Sequence, residues 1–169
     1  MISLVERARG YAVGIVASDK PDAAGLAWAD AHGVLTFTRD AKALGKAAWE
    51  AELNVALVAA GADVIALAGY MRLLSDDFVA RWRGRIVNIH PSLLPLHKGL
   101  DTHARALAAG DAEAGCSVHV VTEELDGGEV LGQSRVPILP DDTADTLAAR
   151  VLSEEHRLYP RVLAEWLAR

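Results

Sequence analysis

Cysteine occurs only once in the 169 residues, at Cys116, so no internal disulfide can form and the several-cysteine framework of small secreted proteins is excluded. An excess of basic residues is also missing. Seventeen Lys and Arg stand against 23 Asp and Glu, and the formal charge of −6 lacks the electrostatic footprint of a nucleic-acid or anionic-membrane binder. No apolar run is fit to cross a bilayer, since the longest, 55–71, is interrupted by Asp63 and by glycines. The first ten residues carry Glu6, Arg7 and Arg9 and no apolar core of a secretory signal, so a cytoplasmic location is expected. Gly-x-Ser-x-Gly, P-loop and Gly-x-Gly-x-x-Gly motifs are all absent, which removes the hydrolase, NTPase and dinucleotide signatures. The six histidines include no His-Glu-x-x-His pair, and no metal site is expected. Cys116 sits where strands place small buried residues, so a thiol nucleophile is not expected either. With no covalent catalyst in view, the chemistry left is direct transfer between bound substrates.

What is present is globular. Hydrophobic residues make up 51% of the chain and charged residues 24%, without repeats, low-complexity tracts or linkers, so residues 1–169 read as one domain. A chain of this size buries roughly 70% of its unfolded surface and needs no metal or disulfide to fold. Strands are predicted at 11–17, 34–37, 64–68, 85–88, 116–121 and 130–136, and helices at 22–31, 46–60, 75–82, 102–109 and 143–169. Asp22, Ser75 and Asp142 stand at N-cap positions, and Gly33, Gly61, Gly84 and Gly110 stand where helices should stop. Val64-Ile65-Ala66-Leu67-Ala68 is apolar throughout, as strands covered on both faces must be. The alternation reads βαβαβα, an open, mostly parallel α/β sheet with helices on both faces. Residues 1–9 read as a helix running into the first strand, whereas doubly wound sheets normally open with a strand and a phosphate-binding turn.

Three places could carry chemistry. The apolar strand ending at Arg85-Ile86-Val87-Asn88-Ile89-His90 puts Asn88 and His90 on one face, and Pro91 then stops the ladder. Ligands of open α/β sheets bind outside the carboxyl ends of strands. There an amide and an imidazole could hold an oxyanion and move a proton, or they could simply satisfy loop backbone. Next, Ser117 and His119 alternate with the core residues Cys116, Val118 and Val120. The acidic run Thr122-Glu123-Glu124-Leu125-Asp126-Gly127-Gly128 follows, either an ordinary hairpin connection or a loop whose Asp126 reaches His90 and favours its imidazolium. Finally, Glu155 shares a helical stripe with Ala148, Val151, Leu152, Leu158, Tyr159 and Val162, while Glu154 groups with Arg150, Arg157 and Arg161 on the wet face. A carboxylate on that stripe is either a snorkelling rim residue or the receiver of a ligand amine.

Several stretches together resemble a known family. Asn88-Ile89-His90-Pro91-Ser92-Leu93-Leu94-Pro95 is followed by Gly99-Leu100-x-Thr102-His103, Glu124-Leu125-Asp126-Gly127-Gly128 and Glu155-His156-x-x-Tyr159-Pro160, with Gly69-Tyr70-Met71-Arg72-Leu73-Leu74 upstream. From Val13 onward the chain is similar to the folate-dependent formyltransferases, and these motifs favour the branch acting on glycinamide ribonucleotide. The resemblance implies a Rossmann-like formyltransferase fold, with Asn88, His90 and Asp126 as catalytic residues and 10-formyltetrahydrofolate as co-substrate. It implies folate contacts at Met71, Arg72, Leu73, Leu74, Asn88, Leu125 and Asp126. Ribonucleotide contacts are implied at Gly69, Met71, Pro91 and Glu155, and Ser117 and His119 have supporting places. A cis Leu94–Pro95 bond is implied as well. The expected partners are small-molecule substrates, with neither nucleic acid nor membrane, in a monomer or homodimer. The family's opening strand and Gly-x-Gly-Ser-Asn phosphate loop have no counterpart here, so two strands are expected to lack a neighbour, and the start is expected to lie about one βα turn too late. Two alternatives remain, a deformylase in which water replaces the amine and a folate-binding remnant without turnover.

Overall fold

The computed structural model describes all residues from Met1 to Arg169. In chain order the elements are α1 (Ile2–Glu6), β1 (Ile15–Ser18), α2 (Ala24–Ala31), β2 (Leu35–Thr38), α3 (Ala41–Leu44), α4 (Lys46–Ala59), β3 (Ile65–Leu67), α5 (Asp76–Arg81), β4 (Ile86–His90), α6 (Thr102–Ala109), β5 (Glu113–Val120), β6 (Val130–Pro137) and α7 (Ala144–Leu167). The α/β class and the alternation match the expectation. β1 pairs in parallel with β2, and β3 with β4, whereas β4–β5 and β5–β6 are antiparallel, so the sheet is mixed on the side that carries the site. Hydrogen bonding divides the sheet into β1-β2 and β3-β4-β5-β6. β1 and β3 thus each keep an edge without a strand partner, where the resemblance expects one more strand.

β4 shows why the layers form. Its consecutive core residues Ile86 and Val87 are fully buried and point to opposite faces. Val87 joins Val118, Leu147, Val151 and Tyr159 in the core under α7, while Ile86 joins Trp49, Leu53, Phe78 and Trp82 in the core under α4 and α5. A strand covered on both faces needs an unbroken apolar run, which β4 supplies until Asn88. The Tyr159 hydroxyl lies 3.0 Å from the carbonyls of both Leu67 and Val87, pinning α7 across β3 and β4.

Several boundaries differ from the sequence reading. β1 begins at Ile15, not at 11, and β5 begins three residues earlier, at Glu113, because its ladder runs to Pro137 on β6. A short helix, α3, was not predicted; Asp40 caps it by accepting from the amides of Lys42 and Ala43. Ser75 caps α5 as expected, its hydroxyl accepting from the Phe78 amide. Asp22 caps nothing, since α2 follows Ala23 without a side-chain cap. Thr143, not Asp142, caps α7 in a reciprocal box with Thr146. Asp142 instead accepts from the Leu139 amide and pairs with Arg150 at 2.7 Å. Leu152, expected on the apolar stripe, is exposed. Glu154, expected on the wet face, is partly buried, accepting from the Ser134 hydroxyl at 2.8 Å as well as from Arg157.

Candidate active site

Asn88 and His90 occupy the carboxyl end of β4, and the antiparallel register sets Asn88 opposite His119 and His90 opposite Ser117. Four polar side chains therefore share one face of a central strand pair. Asp126 approaches from the loop between β5 and β6, where its backbone is left-handed (φ 48°) and its side chain only 8% exposed. Its Oδ2 accepts from the Gly99 amide at 2.9 Å and lies 3.4 Å from His90 Nδ1. The other ring nitrogen, His90 Nε2, is 3.1 Å from the His97 carbonyl. A carbonyl only accepts, so Nε2 carries a proton here; the imidazolium would donate on both sides.

His119 is 2% exposed, and burial pushes its pKa below the ordinary value, outweighing the Val120 carbonyl and Asp126, which act the other way. A neutral ring with Nδ1 donating to the Val120 carbonyl (3.1 Å) leaves a lone pair on Nε2. That nitrogen lies 3.4 Å from Asn88 Nδ2, which donates to its lone pair, and 3.6 Å from Asp126 Oδ1. One amide hydrogen of Asn88 is directed at His119, and the other is free for a ligand. His119 thus orients Asn88.

Ser117 has a different part. Its hydroxyl donates to the Ser92 carbonyl (2.7 Å) and accepts from the Leu94 amide (3.0 Å) and from Gln133 Nε2 (2.8 Å). All its capacity goes into pinning the turn after β4, where Leu94–Pro95 is cis as expected. Ser117→Ala leaves the Leu94 amide without its acceptor and is expected to cost about 1–3 kcal/mol of stability, read as a fall in denaturant midpoint at constant m-value.

The folate-side candidates follow β3. Gly69 turns in a left-handed conformation (φ 71°), Met71 and Leu73 are 73% and 66% exposed, and Leu74 is half-buried. Exposed side chains of this size on one segment need a reason. Leu125 is also half exposed, and its Cδ2 lies 3.8 Å from the position a Cβ would take at Gly99. Arg72 points at Asp19, 3.7 Å away, so its charge is partly offset within the chain. Next to it Tyr70 stacks on Trp49 at 5.9 Å, and burial pushes its phenol up to about 12. Pro91 is half-buried immediately after β4.

Glu155 is not gathered with the trio. Its electrostatic neighbours are the Met1 amine and the Cys116 thiol, on the α7 side of β5, whereas Ser117 and His119 point to the other face. Burial raises its carboxyl to about 7, with the Met1 amine pulling the other way. Between the ordinary value of 4.5 and about 7, the folded chain keeps a proton that the unfolded chain has lost. Its contribution to stability is therefore complete below pH 4.5 and is lost as pH rises through about 7. Glu155→Gln is expected to flatten the fall in thermal midpoint across that window, and an unchanged slope would refute the shift. Cys116 is fully buried with its thiol pushed up to about 12, which makes it an inert packing residue, as expected.

Sequence reasoning missed Gln133, His97 and the Gly99 amide. Gln133 becomes visible only once the β5–β6 register sets it opposite Ser117. His97 and Gly99 act through backbone groups, for which side-chain motifs carry no signal. No group of three or more His, Cys, Asp or Glu is arranged to hold a metal ion, and no helix is long and apolar enough to cross a membrane.

Known proteins share this sequence and fold. The family model described as Formyl transferase matches residues 4–163. Phosphoribosylglycinamide formyltransferase of Escherichia coli (strain K12) is 47% identical over 154 residues, covering 90% of this chain and 72% of that protein. The trifunctional purine biosynthetic protein adenosine-3 of Drosophila melanogaster is 45% identical over 169 residues, which cover 96% of this chain but only 12% of that much longer one. Among solved structures, phosphoribosylglycinamide formyltransferase from Brucella melitensis superposes with a TM-score of 0.92 at 51% identity, covering 99% of this chain and 88% of that one. A match that runs through both cores and the whole β4–β6 face, with relatives about half identical, means that this chain belongs to the formyl transferase family.

Proposed function

We propose that this chain transfers the formyl group of 10-formyltetrahydrofolate to the amine of glycinamide ribonucleotide, a step of purine biosynthesis. The observation that carries the reading is the convergence of Asn88, His90 and Asp126 at the carboxyl end of β4, in a chain whose relatives bear the name of that activity. The amine attacks the formyl carbon and the carbonyl becomes a tetrahedral oxyanion. The free amide hydrogen of Asn88 and the positive charge of His90 stabilise that oxygen. Asp126, 3.4 Å from His90 Nδ1, faces the ring from the side opposite the His97 carbonyl and fixes its orientation. A proton leaves the attacking nitrogen for water held at the Asp126 carboxylate, passes through that water to N10 of the folate, and the C–N10 bond breaks as the oxyanion collapses to give tetrahydrofolate and the formylated amine.

The two substrates meet on the face of β4 and β5 that carries the trio. Met71, Leu73, Leu74 and Leu125 offer apolar surface for a pterin ring, with Asn88 and Asp126 at its polar edge, and Arg72 can exchange Asp19 for a folate carboxylate. Gly69, Met71 and Pro91 border the ribonucleotide, whereas Glu155, beside the Met1 amine and Cys116 on the α7 side of β5, stays outside the reacting centre in this arrangement.

The deciding experiment mixes folded protein with 10-formyltetrahydrofolate, with and without glycinamide ribonucleotide, and follows tetrahydrofolate. Turnover that requires the ribonucleotide is the expected result. Formate release independent of it would establish a deformylase instead, and folate binding without any turnover would leave a binding protein.

A further inference from the structure

The loop after the cis proline is pinned residue by residue. The carbonyl of Leu96 accepts from the Ser92 hydroxyl (2.6 Å), that of His97 faces His90 Nε2 (3.1 Å), and that of Lys98 accepts from Arg105 (2.6 Å). The Gly99 amide then donates to Asp126. His97 alone among these residues presents its carbonyl to the trio. It does so from a left-handed backbone (φ 51°), a region that residues with side chains rarely adopt.

The ring of the same residue supplies the hold. His97 Nε2 lies 2.6 Å from Asp111 Oδ2, with the two side chains 16% and 28% exposed. Asp111 is itself fixed. It follows α6 directly after Gly110, which turns at φ 70°, and its amide donates to the Ala106 carbonyl at 3.2 Å. A short chain of contacts therefore runs from the end of α6 to the imidazole of His90: Asp111 to the His97 ring, the His97 backbone to His90 Nε2.

We propose that His97 and Asp111 are a positioning pair for the transfer reaction. Their side-chain contact holds residue 97 left-handed, so that its carbonyl fixes the His90 ring with Nδ1 toward Asp126. Neither residue touches substrate. The inference rests on the formyl-transfer reading for its kinetic consequence, but the hydrogen bond to His90 can be observed without any turnover.

The test uses four variants of the whole chain. Glycine adopts the left-handed backbone freely and alanine does not. His97→Ala and Asp111→Ala are expected to lower kcat on the order of tenfold, below the roughly hundredfold loss of a full ångström's misplacement, with KM for both substrates nearly unchanged. His97→Gly should recover to within about threefold of wild type, because residue 97 can again turn left-handed without its anchor. Asp111→Asn, which keeps an acceptor oxygen for the His97 ring, should retain activity. A ring with another duty, or a loop tether alone, would leave His97→Gly as poor as His97→Ala, and that result overturns the proposal. So does a His97→Ala enzyme with wild-type kcat. In parallel, nitrogen-detected NMR of the His90 ring should show a protected Nε2–H in wild type, His97→Gly and Asp111→Asn, and a fast-exchanging one in the two alanine variants. An unchanged signal in His97→Ala also overturns the proposal. If the NMR pattern holds while wild type shows no ribonucleotide-dependent turnover, the positioning pair stands and the substrate reading fails.

Discussion

Asp126→Asn is expected to lower kcat/KM by about 10³–10⁴-fold while leaving the thermal midpoint close to that of the parent, by the scale seen when a carboxylate behind a catalytic imidazole loses its charge. The fold is spared because asparagine tolerates the left-handed backbone at this position (φ 48°) and its carbonyl oxygen can still accept from the Gly99 amide. Chemistry is not spared. The side chain is only 8% exposed, so the negative charge facing His90 Nδ1 at 3.4 Å is poorly screened by water, and nothing else on that side of the ring replaces it. Steady-state kinetics beside a thermal melt separate the two effects. A variant within tenfold of wild type would show that His90 does not depend on this carboxylate.

Asn88→Ala removes the free amide donor, and loss of one donor to an oxyanion typically costs about 10²–10³-fold in kcat, or roughly 2.7–4 kcal/mol of transition-state stabilisation. It also deprives His119 Nε2, in a ring 2% exposed, of the donor 3.4 Å away. A stability loss of about 1 kcal/mol should therefore accompany the kinetic one. The loss should appear in kcat and kcat/KM alike, because the interaction belongs to the transition state more than to bound substrate. Activity within about threefold of wild type would exclude Asn88 from the oxyanion.

How much of this was legible depended on how local each signal is. Asn88 and His90 stood out because two polar residues of one parity interrupt an apolar strand just before a proline, a pattern contained in six consecutive residues. Ser117 and His119 were separable from Cys116 and Val118 by the same alternation, and the structure confirms the two faces. Their opposite duties were not legible. That Ser117 serves the turn at Leu94 while His119 serves Asn88 follows from register, which pairs residues about 30 positions apart. The cap of α7 shows the limit at short range. Asp142 and Thr143 are both good capping residues, and the reciprocal bond to Thr146 decides between them. Glu155 was correctly read as a carboxylate under burial stress, but helical periodicity places a residue on a face of its helix and cannot say which face of the sheet that helix covers. The mixed sheet escaped for a related reason, since chain order shows a crossover only when a helix intervenes and α6 lies between two strands that run antiparallel.

The side-chain hydrogen bonds and ion pairs of His90, Asn88 and Asp126 all lie on one uninterrupted stretch, from β4 through the loop before α6 and β5 to the loop before β6. β1 to β3 and α2 to α5 supply walls and backing, β3 through its backbone pairing with β4, but none of those side-chain contacts. The contacts within the reacting centre thus span fewer than 40 positions, all of them C-terminal to residue 87. For protein engineering, this makes the reacting centre a cassette. A circular permutation opened at the exposed Gly33 would leave every spacing within it untouched.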